Sequence, residues 1–511
     1  MSPATGTQAG RPVRQRSQVT AGELEAEAAR LLAEGYRLAA VAAHDDDRGL
    51  RVVYVFCAGP PDRRAELEVG LDPARPVVPS LARLSFPASR FEREFHDLFG
   101  IIPEGHPFLR RLVLHQHWPE EWHPMRDRAG PPPPMRTDAE PFPFVRVEGN
   151  GVYEIPVGPV HAGLIEPGHF RFSVVGETIL KMKARLWFLH RGVERLFEDQ
   201  DIQAAVPLAE CISGDSAVAH SLAYCLAAEE ACQIAVTQDA DRLRALLLEL
   251  ERLYNHVADI GALCNDVGFG LAQARALTLR ERLLRLNAEV TGHRLLRGAI
   301  RPGHTSVRRL PAPAELDEIS RRFDALVELA TANTVVMDRF RGTAVLSRQD
   351  ALGIGTLGVV ARASGLALDA RVAHPFADLG GGFRPATQAD GDVMARFLVR
   401  VEEARTSLRL ITELAGQVRA LSTAAVPASR GGGSGEFGVC GGSGVGIVEG
   451  WRGSVVHRVE VSPADVLTRC KIVDPSFLNW PALSVALADT IVPDFPLANK
   501  SFNLSYAGND L

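Results

Sequence analysis

Several signatures that would assign a chemistry at once are missing from these 511 residues. Seven cysteines are scattered along the chain and no two form a C-x-x-C pair, so the chain has no cysteine set for an iron–sulfur cluster of its own. No G-x-x-x-x-G-K-[ST] phosphate loop occurs either. Because 56 basic residues nearly balance 62 acidic ones, at a net charge of −6, the composition gives no argument for binding nucleic acid.

Long apolar runs are absent as well. No stretch reaches the roughly 18 apolar residues that indicate a membrane span. The first 18 residues are polar and basic and lack the apolar core of a secretory signal. We therefore expect residues 1–18 to form a disordered tail and the chain to be cytoplasmic. What is present is typical of a globular protein, with 46% hydrophobic and 23% charged residues.

Local patterns predict a small α+β domain over residues 19–130. A capping box at Thr20 indicates the start of an amphipathic helix over residues 19–36. Two apolar runs, residues 37–45 and 51–59, follow this helix and have the composition of strands. A helix followed by strands is typical of the α+β class.

A proline-rich linker, residues 131–150, separates this domain from the rest of the chain. It contains the runs PPPP and PFPF, which favour extended polyproline geometry. The second domain, residues 151–511, begins with a β-rich part and continues as a mainly helical bundle, because apolar residues recur at three- and four-residue spacing. Its glycine-rich segment 430–447 is expected to be flexible or to form tight turns. The predicted fold class of the whole chain is α+β.

The stretch FEREFHDLFGIIPEGHPFLRR, residues 91–111, concentrates ionisable groups on a predicted helix. One interpretation is the solvated face of an amphipathic helix. A second is a docking edge formed by the glycine turns that follow. An acid–base pair of His96 and Asp97 is a third, although adjacent residues on a helix do not face each other.

This stretch closely resembles the signature of the C-type subunit of respiratory complex I, the NADH:quinone oxidoreductase. The same module occurs in the large subunits of formate hydrogenlyase and hydrogenase-4 complexes. The resemblance covers roughly residues 20–130, and it implies that the predicted domain 19–130 has the complex I C-type fold.

Blocks along the second domain resemble the D-type subunit of complex I and the hydrogenase-4 type large subunit. These blocks are GPVHAGLIEPGHFRFSVVGE, FLHRGVERLFE, ELERLYNHVADIGALCNDVG, VARASGLALDARVAHPF and SFNLSYAGNDL. The resemblance therefore extends to residue 511 and implies a fused C/D-type protein. Within the second block, His190 and Glu194 lie four apart on one helix face, a spacing that suits a structural hydrogen bond better than a ligand set.

The resemblance also locates the four cysteines with which true [NiFe] hydrogenases hold nickel, a soft-metal site that demands thiolates. In this chain the two corresponding motifs are CISGDSAVAHS and DPSFLNWPAL. The four positions carry Ser213, Ser216, Ser476 and Asn479. With every thiolate absent, we expect no nickel–iron centre and no metal ligands in this chain, and hydrogen activation is not expected.

In complex I the corresponding cavity lost its metal and became the head of the quinone channel. The quinone-site histidine of the family maps onto His169, and the aspartate that hydrogen-bonds it maps onto Asp266, so these two are the expected catalytic residues. The family's tyrosine would fall at or beside Gly214, where no tyrosine is present. The residues expected to line a polar quinone pocket are Ser213, Asp215, Ser216, Ser476 and Asn479.

The resemblance implies an electron-transfer core subunit of a hydrogenase-4-like or complex I-like oxidoreductase, peripheral on the inner face of the cell membrane. Its expected partners are a small iron–sulfur subunit that delivers electrons, antiporter-like and quinone-channel subunits of a membrane arm, and a formate dehydrogenase as a candidate donor. Nucleic acid is not among them. The alternative is a non-catalytic scaffold or coupling subunit, which the missing thiolates and the missing tyrosine both favour.

Overall fold

The computed structural model describes residues 14–127, 129–163, 165–423 and 441–511. Its strands are β1 Arg14–Gln18, β2 Arg37–Asp46, β3 Gly49–Ala58, β4 Arg63–Gly70, β5 Val77–Pro79, β6 Ile102–Glu104, β7 Val152–Val157, β8 His169–Val175, β9 Thr178–Arg185, β10 Ile300–Arg301, β11 His304–Thr305, β12 Gly442–Gly450, β13 Gly453–Val461 and β14 Leu467–Val473. Its helices are α1 Ala21–Ala33, α2 Phe86–Phe99, α3 Val193–Leu196, α4 Val206–Glu210, α5 Ala217–Ala231, α6 Gln238–Asp266, α7 Gly270–Thr291, α8 Pro313–Thr331, α9 Thr334–Phe340, α10 Arg348–Ile354, α11 Gly358–Ala363, α12 Ala370–Ala373, α13 Val393–Thr423, α14 Pro475–Ala486, α15 Phe495–Phe502 and α16 Tyr506–Asp510, with a 3-10 turn at Val492–Asp494.

The N-terminal domain is a four-stranded sheet in the order β1-β4-β3-β2, with α1 and α2 packed against it. The buried hairpin β2–β3 confirms the two predicted strands. Helix α1 confirms the predicted helix, and its capping box forms because the Thr20 backbone N–H donates to Glu23 Oε2 at 2.9 Å.

Strand β1 corrects the predicted tail. Residues 14–18 are not disordered, because their backbone pairs in parallel with β4, with Arg14 opposite Arg64. The Arg14 guanidinium also lies 3.2 Å from the Glu230 carboxylate, which belongs to α5 of the second domain. The first 13 residues of the expected tail lie outside the described residues.

Helix α2 carries the charged stretch, and its acidic groups are buried rather than solvated. Asp97 Oδ2 accepts the backbone N–H groups of Leu112, Val113 and Leu114 at 2.7–3.2 Å. Glu94 accepts a hydrogen bond from Lys471 Nζ at 2.6 Å. The interpretation as a solvated helix face is therefore wrong, since these carboxylates hold the following loop and the second domain in place.

The second domain combines two three-stranded antiparallel sheets, β7-β8-β9 and β12-β13-β14, with a helical bundle built around α6, α7 and α13. Strand β12 lies across α5 at backbone contact distance. A Cβ at Gly444 or Gly446 would come within 1.9 Å of the Ala227 or Ala223 carbonyl oxygen, so only glycine fits. Flexibility or tight turns were therefore the wrong expectation for residues 442–447, while residues 430–440 lie outside the described residues.

One hydrophobic core runs through both domains. Phe91 of α2 stacks on Phe477 of α14 with ring centroids 5.0 Å apart. The linker also packs on the second domain, because Phe142 and Phe144 lie against the guanidinium groups of Arg185 and Arg171. Within the described ranges, no helix is both long enough and apolar enough to cross a membrane.

Candidate functional site

The two motifs that are far apart in sequence meet at the C-terminal segment, where Ser505 joins them. The hydroxyls of Ser213 and Ser505 lie 2.9 Å apart. The Ser505 backbone N–H donates to Ser476 Oγ at 2.9 Å. We call Ser213, Ser216, Ser476 and Asn479 the four-position site, and its residues are buried around this contact.

Asp215 and Arg452 form the charged edge of the four-position site. The Arg452 guanidinium donates two hydrogen bonds to the Asp215 carboxylate, at 2.6 and 2.7 Å. Ser213 Oγ also donates to Asp215, at 3.0 Å. Burial acts to raise the pKa of Asp215, but the charge and hydrogen bonds of Arg452 outweigh it and hold the pKa below its ordinary value. The carboxylate is therefore ionised and already paired.

Asn479 lies at the other end of the four-position site from Asp215 and hydrogen-bonds the backbone of Leu357. Its Oδ1 accepts the Leu357 N–H at 2.8 Å, and its Nδ2 donates to the Leu357 carbonyl at 3.1 Å. Asn479 is fully buried, so its amide acts as a backbone partner at the start of α11.

A buried chain of polar groups runs inward from this site. Asp474 Oδ2 lies 3.1 Å from His220 Nε2, and His220 Nδ1 lies 3.1 Å from His457 Nε2. Burial acts to raise the pKa of Asp474, but its hydrogen bond to His220 and the charges of His220 and Arg452 hold the pKa below the ordinary value. The groups of this chain therefore satisfy one another inside the protein.

These residues do not fit a nickel–iron centre. The hydroxyls and the amide of the four-position site are each engaged in hydrogen bonds within the protein, and none is a thiolate. The nearby cysteines do not substitute for them. Cys211 is exposed, and burial raises the pKa of the Cys470 thiol far above its ordinary value, so that it stays protonated.

The structure does not pair His169 with Asp266 as the resemblance implies. His169 opens β8, and its Nδ1 donates to the Gly158 carbonyl at 3.2 Å. Asp266 ends α6, and burial raises its pKa while Lys500 opposes the shift. Among the described residues, His169 Nε2 and Asp266 Oδ2 are both buried and have no hydrogen-bond partner.

A cavity of about 660 Å³ lies elsewhere, between the two domains. We call it the aromatic cavity. It is lined by residues between Val113 and Asp127 and between residues 129 and 132, by residues 187–196, by residues 509–511 and by two side chains of α2. None of the four-position residues, His169 or Asp266 lines it.

Rings in successive contact form one wall of the aromatic cavity. Phe188 meets His115 edge-on at 4.7 Å between centroids, His115 lies 5.8 Å from His117, and His117 lies 6.1 Å from Trp118. Trp118 then stacks on Trp122 at 4.9 Å. The run HQHWPEEWHP, residues 115–124, is the sequence signal that could have indicated this wall.

The C-terminus supplies a titratable group to the aromatic cavity. Asp510 is almost fully buried, and burial raises the pKa of its carboxyl to about 6. Its backbone carbonyl accepts a hydrogen bond from His190 Nδ1 at 2.7 Å. His190 therefore bonds the C-terminal segment rather than Glu194, which instead accepts hydrogen bonds from Arg469 and Lys471.

Known families match the N-terminal domain and a part of the second domain. The family model described as respiratory-chain NADH dehydrogenase, 30 kDa subunit, matches residues 18–132, and the 49 kDa subunit model matches residues 266–429. Hydrogenase-4 component G of Escherichia coli (strain K12) is 32% identical over 440 residues, which cover 82% of this chain and 73% of that protein. Formate hydrogenlyase subunit 5 of the same strain is 31% identical over 462 residues, covering 87% of this chain and 79% of that protein.

Two further relatives extend the comparison. The C/D subunit of an NADH-quinone oxidoreductase from Phocaeicola vulgatus is 30% identical over 367 residues, covering 66% of this chain and 70% of that protein. Among solved structures, a chain of the membrane-bound sulfane sulfur reductase, an archaeal respiratory membrane complex, matches with a TM-score of 0.61 and 25% identity. That match covers 71% of this chain and 99% of the other.

Proposed function

Because the chain belongs to the family that contains hydrogenase-4 component G, formate hydrogenlyase subunit 5 and the C/D subunit of NADH-quinone oxidoreductase, we propose that it is the electron-transfer core subunit of a membrane-associated oxidoreductase complex. The observation that carries the proposal is the four-position site, where the resemblance implies a metal site but the residues present offer only hydroxyls and an amide, each engaged within the protein. Because these groups offer nickel no thiolate, we propose that the redox chemistry of the chain uses an organic acceptor, a quinone.

His169 and Asp266 are the residues proposed to act on the quinone. Both carry a buried polar atom without a partner among the described residues, and such atoms cost about 1–3 kcal/mol each unless something completes them. A quinone oxygen or a partner subunit would supply that completion. The raised pKa of Asp266 suits a group that exchanges protons as a quinone is reduced. The further residues proposed to line the quinone pocket are Ser213, Asp215, Ser216, Ser476 and Asn479.

Under this proposal, partner subunits supply the electrons and couple the reaction to the membrane. The chain has no C-x-x-C pair, so a small iron–sulfur subunit would deliver the electrons. Antiporter-like and quinone-channel subunits of a membrane arm would anchor the chain to the inner face of the cell membrane and couple the reaction to ion translocation. A formate dehydrogenase is one candidate donor.

The test is quinone-dependent electron transfer by the purified complex. We expect His169→Gln to lower the rate by about 10²-fold or more, because a positioned acid or base contributes that much to proton transfer. His304→Gln, the same change at an exposed histidine, is the matched control. A His169→Gln complex with the wild-type rate would refute a role for His169 in the reaction.

The alternative is a scaffold that couples a soluble dehydrogenase to the membrane arm without redox chemistry of its own. The absence of a His169–Asp266 hydrogen bond among the described residues favours it. Under this function, His169→Ala leaves electron transfer intact while deletion of the chain dissociates the complex. Loss of electron transfer with the complex still assembled would exclude the scaffold.

A further inference from the structure

We infer that the aromatic cavity is a binding site for a planar aromatic ring that carries hydroxyl donors, of the hydroquinone class. The redox identity of this ligand rests on the proposed function. The location of the site and the hydroxyl groups required of the ligand are argued from the cavity itself, which is not lined by His169, Asp266 or the four-position residues.

The size and walls of the cavity suit a flat ring. A volume of about 660 Å³ lies within the range of small-molecule sites, which occur preferentially between domains. The wall from Phe188 through His115 and His117 to Trp118 and Trp122 is a row of rings at contact distance. Flat aromatic ligands gain most from stacking on such surfaces.

Two of the three histidines that line this cavity have defined tautomers. His115 Nε2 lies 3.1 Å from the Leu186 carbonyl, and His190 Nδ1 lies 2.7 Å from the Asp510 carbonyl. A carbonyl can only accept, so each of these nitrogens carries the proton. The nitrogens left to a ligand, His115 Nδ1 and His190 Nε2, are therefore bare acceptors in the neutral rings.

Both rings are neutral at physiological pH. Burial lowers the pKa of His115 to about 4, and burial likewise lowers the pKa of His190. Two bare nitrogens favour a ligand with O–H groups and disfavour one that offers only carbonyl oxygens, because acceptors that face each other repel. The reduced hydroquinone meets this requirement, and the oxidised quinone does not.

Several charged side chains that line the cavity are already engaged within the protein. Glu94 and Glu194 both accept hydrogen bonds from Lys471, at 2.6 and 3.0 Å. Arg126 lies 2.8 Å from Asp45. The Asp510 carboxyl accepts the Leu189 N–H at 3.0 Å. These contacts leave the apolar faces and the bare imidazole nitrogens available to a ligand.

The experiment titrates the purified full-length chain with three compounds that share one ring system. These are 1,4-dihydroxynaphthalene kept reduced under anaerobic conditions, its dimethyl ether and 1,4-naphthoquinone. By calorimetry we expect the dihydroxy compound to bind about tenfold more tightly than either of the others, since each neutral hydrogen bond contributes roughly twofold to tenfold. Equal affinity for all three compounds would overturn the inference without any variant.

Two variants test whether the preference for the dihydroxy compound arises in the aromatic cavity. His115→Phe keeps an aromatic ring and removes the acceptor, and we expect it to reduce the preference by about threefold. His123→Phe is the matched control, because His123 also donates to a backbone carbonyl, that of Asp97, but does not line the cavity. A His115→Phe chain that keeps the full preference, or a His123→Phe chain that loses it equally, would contradict the assignment.

The same titration of the assembled complex separates this inference from the proposed function. We expect the dihydroxy compound to bind the complex as it binds the chain. If the chain binds it and the complex does not, a partner segment fills the cavity and the inference is wrong, even where quinone-dependent electron transfer persists. Retained binding in a complex that lacks such electron transfer would instead overturn only the proposed function.

Discussion

The four-position site and the aromatic cavity are both polar regions near the C-terminus, yet they are built in opposite ways. In the four-position site, Ser213, Ser476 and Asn479 hydrogen-bond within the protein and are buried. In the aromatic cavity, about 660 Å³ is open and two imidazoles keep a bare nitrogen. The first arrangement stabilises the fold, whereas the second leaves groups available to a ligand.

The difference shows that the position of a site implied by family resemblance is a separate question from the availability of groups to bind a ligand. The resemblance implies a metal site at the four positions, whereas the hydroxyl and amide groups present there are hydrogen-bond partners of the backbone and of Ser505. A ligand needs space and unpaired polar groups, and both occur together in the aromatic cavity. Substitutions in each region test the two halves of this comparison separately.

The largest effect on stability is expected for Asn479→Leu in the four-position site. The variant would leave the buried N–H of Leu357 without its partner and remove the shorter of the two hydrogen bonds to the Leu357 carbonyl, at a cost of about 2–4 kcal/mol in the free energy of unfolding. Urea titration measures this loss. Asn265→Leu, at an exposed position, should change the same quantity by less than about 0.5 kcal/mol. Equal stability of the Asn479→Leu and wild-type chains would show that the site is not closed.

The next effect concerns Asp510 in the aromatic cavity. Its folded pKa is about 6 against an ordinary value of 3.8, so between these pH values the folded chain keeps a proton that the unfolded chain has lost. Asp510 should therefore lower the free energy of unfolding by about 3 kcal/mol as pH rises from about 4 to about 6. Asp510→Asn should make the total fall over this range smaller by about that amount, and an unchanged slope in the variant would contradict the assignment.

Asp474, in the buried polar chain beside the four-position site, should show the opposite sign and a smaller change. Its folded pKa lies below the ordinary value, so its contribution to stability is present at neutral pH and is lost as pH falls through that lowered pKa. Asp474→Asn should remove this loss in acid while leaving the slope between about pH 4 and about pH 6 as in the wild type. Urea titrations at several pH values, run beside those of Asp510→Asn, distinguish the two carboxyls.

The smallest effect is expected for Cys211→Ser. Cys211 is exposed beside the four-position site, and its thiol is free. The free energy of unfolding and the metal content should both stay at the wild-type values, within about 0.5 kcal/mol for the former. A drop in bound metal would instead identify Cys211 as a ligand.

The sequence predicts local elements well because their signals are local. The helix beginning at Thr20 and the strands β2 and β3 follow from capping and from apolar patterning within about ten residues. Strand β1 escapes such reasoning, since its polar residues form a strand only because β4 offers them an edge. The resemblance supplies one long-range fact, that the two motifs of the four-position site belong together.

The features of the fold and of the site that the sequence does not predict depend on contacts between residues far apart in the chain. Glu94 looks solvated in sequence, but Lys471 neutralises it inside the protein. The aromatic cavity cannot be predicted from any one segment, because its lining combines the His- and Trp-rich run, residues 187–196 and the C-terminus. The unpaired atoms of His169 and Asp266 likewise emerge only from the packed structure.

The measurement that tests the central claim most directly is the nickel content of the purified complex, with hydrogen uptake measured on the same sample. A chain whose four-position site is closed by hydroxyl and amide hydrogen bonds should contain nickel far below one atom per chain. It should take up no hydrogen while the complex reduces quinone. Stoichiometric nickel together with hydrogen turnover would contradict the account.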